Sequence, residues 1–349
     1  MTMVEQTQIL SPTGPVLELR GLGVGYGRGE NVLQVVHDVS LSVARGEALG
    51  IVGESGCGKS QTMLAALRLL PRGGRVTSGQ VFLEGRNLLE LSEREMRKVR
   101  GGGIALISQD ALTALNPAMT IGAQMAEPMV HYQGMTRAAA TKRCTELLDL
   151  VGIPGAAARL RSYPHELSGG MRQRALIAMA ISANPKVLIA DEPTTALDVT
   201  TQSQILRLID RLRKDLGMAL ILITHDLGVV AGVTDRVSVL YAGRVVETAE
   251  TQTLFESPRH PYTKALLDSI ARLGDESSER LRPIPGLPPD PNNPVPGCPF
   301  NPRCSHVVPL CRSVLPELED RVKGGSHPVR CHVDPYVEPA RRLASGAAR

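Results

Sequence analysis

Some stretches within the first ninety residues alternate between apolar and polar positions in the way that half-buried strands do. Two such stretches, "VLELRGLGVGY" and "VLQVVHDVSLSV", predict a pair of strands near the N-terminus. A third, "VTSGQVFLEGRNLLEL", has a polar turn in its middle and predicts a hairpin. Together they predict an antiparallel β subdomain.

Three later stretches are short continuous apolar runs rather than alternating ones: "IALIS", "KVLIAD" and "ALILIT". Continuous runs of this length are typical of parallel strands covered on both faces. Helical patterns separate them, and residues 116–183 are mostly helical in pattern. This alternation predicts an α/β core with a mostly parallel sheet and a helical subdomain.

The composition changes after Glu247, where "RPIPGLPPDPNNPVPGCPFNP" follows a predicted helix, "HPYTKALLDSIARL". Dense proline cannot sustain a helix or a central strand, so this part is predicted to be an extended, irregular appendage. The chain is therefore predicted to begin with a flexible tail, residues 1–14, followed by a core domain, residues 15–247, whose helical subdomain covers about 110–183. The appendage comprises residues 248–335, and a disordered tail comprises residues 336–349.

Composition and charge narrow the function. Of 349 residues, 42% are hydrophobic, and the net charge of +4 has no concentrated basic stripe, so no nucleic-acid partner is predicted. No apolar run is long enough to span a bilayer, and the first residues do not form a secretory signal. A cytoplasmic location is expected, where structural disulfides are rare.

The stretch "GESGCGKS" at residues 53–60 fits the phosphate-binding loop G-x-x-x-x-G-K-[ST], between a predicted strand and a predicted helix. Glycines let backbone N–H groups surround phosphates, and the helix N-terminus favours an anion. Lys59 is expected to reach the β- and γ-phosphates and Ser60 to bind Mg²⁺. The predicted ATP-contacting residues of this segment are Gly53, Ser55, Gly56, Cys57, Gly58, Lys59, Ser60 and Gln61.

The run "KVLIADEP" ends in two carboxylates. Asp191 suits the Mg²⁺ site of a P-loop ATPase, and Glu192 suits the polarisation of a water molecule for attack on the γ-phosphate. A carboxylate pair alone would be an ordinary strand end, but the upstream P-loop favours catalysis.

Several further stretches resemble the motifs of ABC ATPases, in the right order over residues 16–247. "ELSGG" at 166–170 resembles the signature motif, and "TALD" at 195–198 resembles the D-loop. Gln109 resembles the Q-loop glutamine, His225 the switch histidine and Tyr26 the aromatic residue that stacks on adenine. The resemblance implies catalytic roles for Glu192, His225 and Gln109, and a place for Gln109 at the Mg²⁺ ion. It also implies that the signature of one subunit closes over ATP bound to another, with nucleotide contacts from Ser168, Gly169, Gly170 and Asp198.

Three longer stretches resemble the ATPases of oligopeptide and dipeptide importers: "SQDALTALNPAMTIGAQMAEP", "SYPHELSGGMRQRALIAMA" and "ESPRHPYTKALL". The C-terminal "GLPPDPNNPVPGCPFNPRCSHVVPLC" resembles the terminal extension of that family. The resemblance implies a D-type subunit, peripheral at the cytoplasmic face of the membrane, that powers peptide uptake. Its implied partners are a second, non-identical ATPase, two transmembrane permeases and an extracytoplasmic solute-binding protein. Nickel complexes or glutathione are alternative solutes, and a non-transport ABC protein or an efflux ATPase is a less favoured reading.

Four cysteines, Cys298, Cys304, Cys311 and Cys331, follow the spacing C-x5-C-x6-C-x19-C. Four thiolates suit either tetrahedral zinc or a [4Fe–4S] cluster, and zinc sites usually contain closer pairs. The family resemblance also favours the iron–sulfur cluster, as a structural staple of the appendage, and the remaining alternative is unmetallated thiols or disulfides. His306, His327 and His332 are possible replacement ligands. Cys57 begins a helix, which is expected to lower its pKa, and Cys144 is expected in the core.

Overall fold

The computed structural model describes residues 14–29, 31–109, 114–195, 197–269, 284–320 and 326–333. The two predicted tails lie outside these ranges, except for Gly14, and stay predictions. Within the described ranges no helix has the length and apolar character required to cross a membrane.

The strands form in short stretches separated by turns. They are β1 (Leu17–Arg28), β2 (Asn31–Val43), β3 (Ala48–Val52), β4 (Gly74–Leu83), β5 (Arg86–Asn87), β6 (Ile104–Ile107), β7 (Val187–Asp191), β8 (Ala219–Thr224), β9 (Arg236–Tyr241), β10 (Arg244–Glu250), β11 (Glu319–Asp320) and β12 (Pro328–Val329).

The α-helices cover the sheet and form most of residues 121–181. They are α1 (Lys59–Ala66), α2 (Glu93–Lys98), α3 (Ile121–Gln133), α4 (Arg137–Leu150), α5 (Ala156–Arg159), α6 (Gly169–Ile181), α7 (Val199–Leu216), α8 (Leu227–Ala231), α9 (Thr251–Glu256) and α10 (Pro261–Asp268). Short 3₁₀ turns include Asn301–Arg303 and Pro309–Arg312 in the appendage.

The predicted antiparallel subdomain is present as a sheet in the order β2-β1-β4-β5. The predicted hairpin is its β4–β5 edge, where Leu83 pairs with Arg86. The larger sheet has the order β11-β12-β10-β9-β3-β8-β7-β6. Its five strands from β9 to β6 pair in parallel, so the predicted α/β class is confirmed.

Both faces of the parallel sheet are buried, which explains the continuous apolar runs. Along β8, Leu220 and Leu222 pack with the helical subdomain, whereas Ile221 and Ile223 pack against the side that carries the antiparallel sheet. Strand side chains alternate between faces, so a strand covered on both sides is apolar at every position.

The appendage is less irregular than its proline content predicts. Strands β11 and β12 extend the core sheet beyond β10, with Val329 opposite Glu247. Arg330 continues this contact, since its N–H donates to the Val246 carbonyl at 2.8 Å and its Nε to the Val245 carbonyl at 2.9 Å. The position after Glu247, where the composition changes, is thus not a structural break.

Candidate nucleotide site

The phosphate-loop sequence connects the end of β3 to the start of α1 at Lys59. Gly53 has a φ of 153°, and a Cβ atom there would lie 2.2 Å from the Leu240 carbonyl oxygen. Gly58 caps α1 with a φ of 102° and has no side chain to close the helix end. These two positions therefore need glycine, whereas Ser55 and Gly56 between them are exposed at the turn.

Lys59 is the buried cation of the loop, with only 5% of its surface exposed. Its Nζ atom donates to the Gly53 carbonyl at 2.7 Å and to the Glu54 carbonyl at 3.0 Å. The loop backbone therefore wraps around the ammonium group. A buried ammonium needs such partners because its desolvation is costly.

Asp191 ends β7, and Ser60 at the start of α1 lies close enough to its carboxylate to oppose the rise in its pKa. Burial and the neighbouring charge of Glu192 raise the pKa of Asp191, against the opposing effects of Ser60 and Lys59. The predicted Mg²⁺-binding pair of Ser60 and Asp191 is thus brought together.

Glu192 is the most constrained carboxylate of the site. Its backbone has a φ of 46°, and its N–H donates to the Ile223 carbonyl at 2.9 Å. Oε2 accepts from Gln109 Nε2 at 2.9 Å and from Thr195 Oγ1 at 3.1 Å. Oε1 lies 3.0 Å from His225 Nδ1. Three segments that are distant in sequence therefore meet on one carboxylate.

These contacts set the charge state of Glu192. Burial would raise its pKa, but hydrogen bonds from His225 and Thr195 and the charge of Lys59 bring the pKa below its usual value. Glu192 is therefore ionised at neutral pH. An ionised carboxylate with fixed orientation is what a general base requires.

Tyr26 and Gln61 lie together, and the Tyr26 hydroxyl donates to the Gln61 side chain. The Tyr26 ring also packs on the backbone of Gly74. Both residues are half-exposed, on the antiparallel-sheet side of the loop.

Cys57 differs from the prediction for its thiol. It is buried, and burial raises its pKa despite the nearby Lys59 charge. The expectation that the helix N-terminus lowers this pKa is therefore wrong, because desolvation of the thiolate exceeds the effect of the helix end. Cys144 is fully buried in the helical subdomain, as expected.

The signature and D-loop residues form a second group. Ser168 caps α6 by accepting from the Met171 N–H at 3.3 Å. A Cβ at Gly170 would lie 3.2 Å from the Thr201 side chain, and one at Gly169 would lie 3.8 Å from Leu197. Asp198 caps α7 by accepting from the Thr201 N–H at 2.9 Å. In this chain the signature thus packs on the D-loop, of which Ala196 lies outside the described residues.

The cysteines of the appendage share one small cavity. Cys298, Cys304, Cys311 and Cys331 line it together with His260, His306 and His332. The Cys298 N–H donates to the Cys311 carbonyl at 2.8 Å, which closes residues 297–311 into a unit called the cysteine loop here.

Burial raises the pKa of two thiols of this cavity, Cys298 and Cys304. Burial raises the pKa of Cys298 to about 12, and the neighbouring cysteines add to the effect. In the described part of the chain, no three His, Cys, Asp or Glu side chains are arranged so as to hold a metal ion. His327, one of the predicted replacement ligands, instead bonds to Glu247 at 2.7 Å.

Some contacts of the site are not evident from the sequence motifs. Thr195 belongs to a predicted D-loop, but nothing in the sequence assigns its hydroxyl to Glu192. Tyr262 and Arg303 of the appendage both reach Glu54 of the phosphate loop. The sequence does not predict these two contacts, because Tyr262 and Arg303 each lie more than 200 positions from Glu54.

Two family models match the chain. The ABC transporter family matches residues 36–195, and the C-terminal region of oligopeptide and dipeptide transporters matches residues 246–311. The second match covers α9, α10 and the cysteine loop.

Similar proteins of known assignment extend over nearly the whole chain. A probable peptide ABC transporter ATP-binding protein of Sinorhizobium fredii is 49% identical, over 90% of this chain and 94% of its own length. The dipeptide transport ATP-binding protein DppD of Bacillus subtilis is 47% identical over 90% and 94%. The oligopeptide transport ATP-binding protein OppD of Salmonella typhimurium is 46% identical over 89% and 92%.

Solved structures match the core. A dimeric, post-hydrolysis structure of the ATP-binding cassette MJ0796 bound to ADP and Pi is 28% identical, with a TM-score of 0.60 over 67% of this chain and 98% of its own. The cbiO1 subunit of a Clostridium perfringens ABC transporter is 26% identical, with a TM-score of 0.61 over 70% and 92%. The chain belongs to the ATP-binding subunits of oligopeptide and dipeptide ABC transporters, the ATPases that power peptide import.

Proposed function

We propose that the site assembled around Glu192 hydrolyses ATP, with Glu192 as the general base. The observation that carries this proposal is the convergence of Gln109, Thr195 and His225 on one ionised carboxylate. Glu192 Oε2 accepts two hydrogen bonds, and His225 Nδ1 lies against Oε1, so the side chain has a fixed orientation. His225 and Gln109 act by holding Glu192 and, when nucleotide is present, the γ-phosphate and the attacking water.

The phosphate loop binds the nucleotide in this proposal. Lys59 would exchange its carbonyl partners for the β- and γ-phosphates, and the N–H groups of residues 53–61 would surround the phosphate oxygens. Tyr26 would stack on the adenine ring, next to Gln61. The exposure of Ser55 and Gly56 fits an entry side for the triphosphate.

Mg²⁺ would be held by Ser60 and Asp191, with the amide oxygen of Gln109 as a third donor. Their hydroxyl, carboxylate and amide oxygens are the hard donors that Mg²⁺ prefers, and Ser60 lies near Asp191. The ion would neutralise charge on the β- and γ-phosphates.

The signature residues Ser168, Gly169 and Gly170, with Asp198, would act on ATP bound to a partner subunit. The dimeric ADP-bound structure of a related cassette supports this arrangement. We propose that the partner is a second, non-identical ATPase, and that the pair works with two permeases and an extracytoplasmic solute-binding protein at the cytoplasmic face of the membrane. Peptides are the proposed solute, and nickel complexes or glutathione are the alternatives.

Transmission to the permeases is assigned to residues 109–125, of which 110–113 lie outside the described ranges. Gln124 fixes the rest of this segment, since its side chain accepts from the Asn116 N–H at 2.8 Å and donates to the Asn116 and Met119 carbonyls at 3.0 Å. Charge-changing substitutions at the exposed residues of this segment should leave ATP hydrolysis intact and stop transport. Normal transport in such variants would contradict the assignment.

The test of the catalytic proposal uses Glu192→Gln and Lys59→Ala in the full chain. Removal of a positioned base costs about 10²- to 10⁴-fold in rate, so Glu192→Gln should lose turnover and keep ATP affinity. Lys59→Ala should lose ATP binding. The matched control is Glu146→Gln, which changes an exposed carboxylate on α4. A Glu192→Gln enzyme that retains half the control's turnover would remove Glu192 from the base role.

For the cysteine cavity we propose a [4Fe–4S] cluster, with Zn²⁺ as the alternative. Support comes from the shared cavity of four thiols; a bound metal would have to deprotonate them and draw them together. Such a centre would stabilise the proposed appendage of residues 248–335 on the proposed nucleotide-binding domain of residues 15–247.

Metal analysis and an absorption spectrum of anaerobically purified protein test the cluster. Iron, sulfide and broad brown absorbance should be present in the natural chain and in Cys144→Ala, which changes a core thiol of the helical subdomain, and absent in Cys304→Ser. Zinc in place of iron selects the alternative. Absence of both metals means that the four cysteines do not form a metal centre in this protein.

A further inference from the structure

The cysteine loop touches the phosphate loop directly. Arg303 lies one residue before Cys304, in the 3₁₀ turn Asn301–Arg303, and its guanidinium forms two hydrogen bonds to the Glu54 carboxylate. Nη1 lies 2.7 Å from Oε2 and Nη2 lies 2.9 Å from Oε1. Glu54 is the second residue of the phosphate-loop motif, so a residue of the appendage is paired with the loop itself.

The Arg303 side chain is fixed on all sides. It is 4% exposed, its Nε donates to the Pro285 carbonyl at 2.9 Å, and its Nη1 donates to the Tyr241 hydroxyl at 3.3 Å. The guanidinium carbon also lies 5.8 Å from the Tyr241 ring centre and 5.9 Å from that of Phe300. A planar guanidinium held in this way can position a carboxylate, whereas a flexible amine could not.

Glu54 is held at its other two polar groups as well. Its N–H donates to the Tyr262 hydroxyl at 2.8 Å, and its carbonyl accepts from Lys59 Nζ at 3.0 Å. Tyr262 lies on α10, at the start of the appendage. Two appendage residues thus hold Glu54, one of the two residues whose carbonyls accept from the lysine of the phosphate loop.

The cysteine loop controls where Arg303 lies. The Arg303 N–H donates to the Phe300 carbonyl at 3.0 Å, and the Asn301 N–H donates to the Cys298 carbonyl at 2.9 Å. Phe300 packs on Tyr241 and Tyr262, with ring centres 5.2 and 5.4 Å apart. A displacement of the residues between Cys298 and Cys304 would therefore move Arg303 away from Glu54.

We propose that Arg303 is a positioning residue of the nucleotide site, which makes ATP affinity depend on the docked cysteine loop. The inference rests on the proposed role of Lys59. A loop that is already ordered binds its ligand without the entropy cost of ordering it. Release of Glu54 would free residues 53–58 and the Lys59 side chain, so that nucleotide binding would have to order them.

The test measures ADP affinity by calorimetry, and kcat and KM for ATP, in the full chain. Arg303→Ala and Glu54→Ala should each weaken ADP binding by about 5-fold or more, in the range typical of coupled sites. The double variant should bind no more weakly than the weaker single variant, because both substitutions remove the same contact. Turnover at saturating ATP should change less than KM, since binding rather than the chemical step is affected.

Controls separate this role from general loss of structure. Arg312→Ala removes an exposed arginine directly after the cysteine loop, at the end of the turn Pro309–Arg312, and should bind ADP normally. Arg303→Lys keeps the charge but loses the bidentate contact. Its ADP affinity should lie between that of the natural chain and that of Arg303→Ala. The charge exchange Glu54→Arg with Arg303→Glu should recover part of the affinity if the contact itself matters, which a merely unfolded appendage could not do.

Two results would overturn the inference: ADP affinity in Arg303→Ala equal to that in Arg312→Ala, or effects of Arg303→Ala and Glu54→Ala that add in full. Lys59→Ala is measured beside them. If Lys59→Ala binds ADP normally, the proposed nucleotide site itself is wrong. If it loses binding while Arg303→Ala does not, the nucleotide site stands and only the role of Arg303 fails.

Discussion

The nucleotide site and the cysteine cavity are held in place by different kinds of contact. The first is built from the ends of paired strands: Val52 pairs with Thr224 and Asp191 with Ile223, so the loops that follow must meet at one edge of the sheet. The second depends on side chains. Arg303 reaches Glu54, and His327 reaches Glu247. Long parallel pairing of the backbone places the first site, whereas the second has only the short pairing of β12 with β10 and depends more on a few buried polar side chains.

This difference has a consequence for stability. Parallel strands are held together by many backbone hydrogen bonds, so the loss of one side chain leaves their pairing intact. Where one buried carboxylate accepts several hydrogen bonds, the position of a whole segment depends on that single residue. Single side-chain substitutions should therefore release the appendage, whereas the strand ends that carry the phosphate loop should be displaced mainly by changes to the backbone.

The largest expected effect compares two glycines, one in each region. A Cβ at Gly53 would lie 2.2 Å from the Leu240 carbonyl, and one at Gly297, where φ is 70°, would lie 2.4 Å from the Cys311 carbonyl. Gly53→Ala should abolish ATP binding, measured by calorimetry, and leave hydrogen exchange of the cysteine loop unchanged. Gly297→Ala should open the cysteine loop and lower ATP affinity only in part.

Gly46→Ala controls for backbone strain alone, since φ is 75° there and no atom would lie within 4 Å of the new Cβ. It should bind ATP normally. If Gly53→Ala also binds ATP normally, the close approach to Leu240 does not determine the shape of the phosphate loop. The proposed difference between the two regions would then be wrong for the nucleotide site.

The next effect tests how the appendage is held. Glu247 is fully buried and accepts from the Arg259 N–H at 2.6 Å, the His260 N–H at 3.0 Å and His327. A buried donor that is left without its acceptor costs about 1–3 kcal/mol, and loss of the Glu247 carboxylate would leave several donors in that position. Glu247→Ala should therefore raise hydrogen exchange at the Arg330 amide far more than at Ile223 in the central strand β8. Equal protection loss at both amides would mean that the two regions unfold together.

Glu250→Ala is the matched control, because Glu250 is an exposed carboxylate at the end of the same strand. It should leave both amides protected. Loss of protection at Arg330 in this variant would assign the effect to strand β10 in general rather than to the buried carboxylate.

Acid should act on the appendage before it acts on the nucleotide site. Burial lowers the pKa of His260 to about 4, against the opposing charge of Glu247. As pH falls below 6.5, His260 becomes protonated in the unfolded chain but stays neutral in the folded one. Protonation therefore favours the unfolded state, and the free energy of unfolding decreases progressively between pH 6.5 and 4. The loss is at most about 3 kcal/mol. Glu192 has a lowered pKa, so its contribution is lost only below about pH 4.5.

His260→Asn isolates this effect, because Asn can still cap α10, where His260 Nδ1 accepts from the Tyr262 N–H at 3.1 Å. The variant should show a flatter fall of Arg330 amide protection from pH 6.5 to 5 than the natural chain measured at the same pH values. An identical slope in the two proteins would show that His260 is not the group responsible.

The sequence predicts the first region far better than the second, for a physical reason. The runs around Ile189 and Ile221 are apolar because both sheet faces are covered, and the phosphate-loop glycines are required by local backbone geometry. Such signals lie within a few residues of the feature that they predict. The phosphate loop and the carboxylates Asp191 and Glu192 could therefore be predicted from local signals, whereas the roles of Gln109 and His225 are implied only by the family resemblance.

The appendage shows what local signals miss. The change in composition suggests a boundary after Glu247, yet this residue anchors the segment that follows. The reading of Cys57 failed for a related reason, because the helix start is visible in sequence but the burial that raises its pKa is not. Arg303 and Glu54 are 249 residues apart, and the sequence around either residue does not predict their contact.

The smallest expected effect lies within the nucleotide site. Thr195 supplies one of the hydrogen bonds to Glu192, and a single hydrogen bond contributes about 0.5–1.5 kcal/mol. Thr195→Val should therefore lower kcat by about 2- to 10-fold, and Thr195→Ser, which keeps the hydroxyl, should not. Because this hydrogen bond lowers the pKa of Glu192, its loss should also move the acid limb of the kcat profile to higher pH. A fall in kcat with an unmoved acid limb would mean that Thr195 shapes the loop without bonding to the base. The carboxylate would then depend on Gln109 and His225 alone, and the nucleotide site would resemble the appendage in relying on a few long-range side chains.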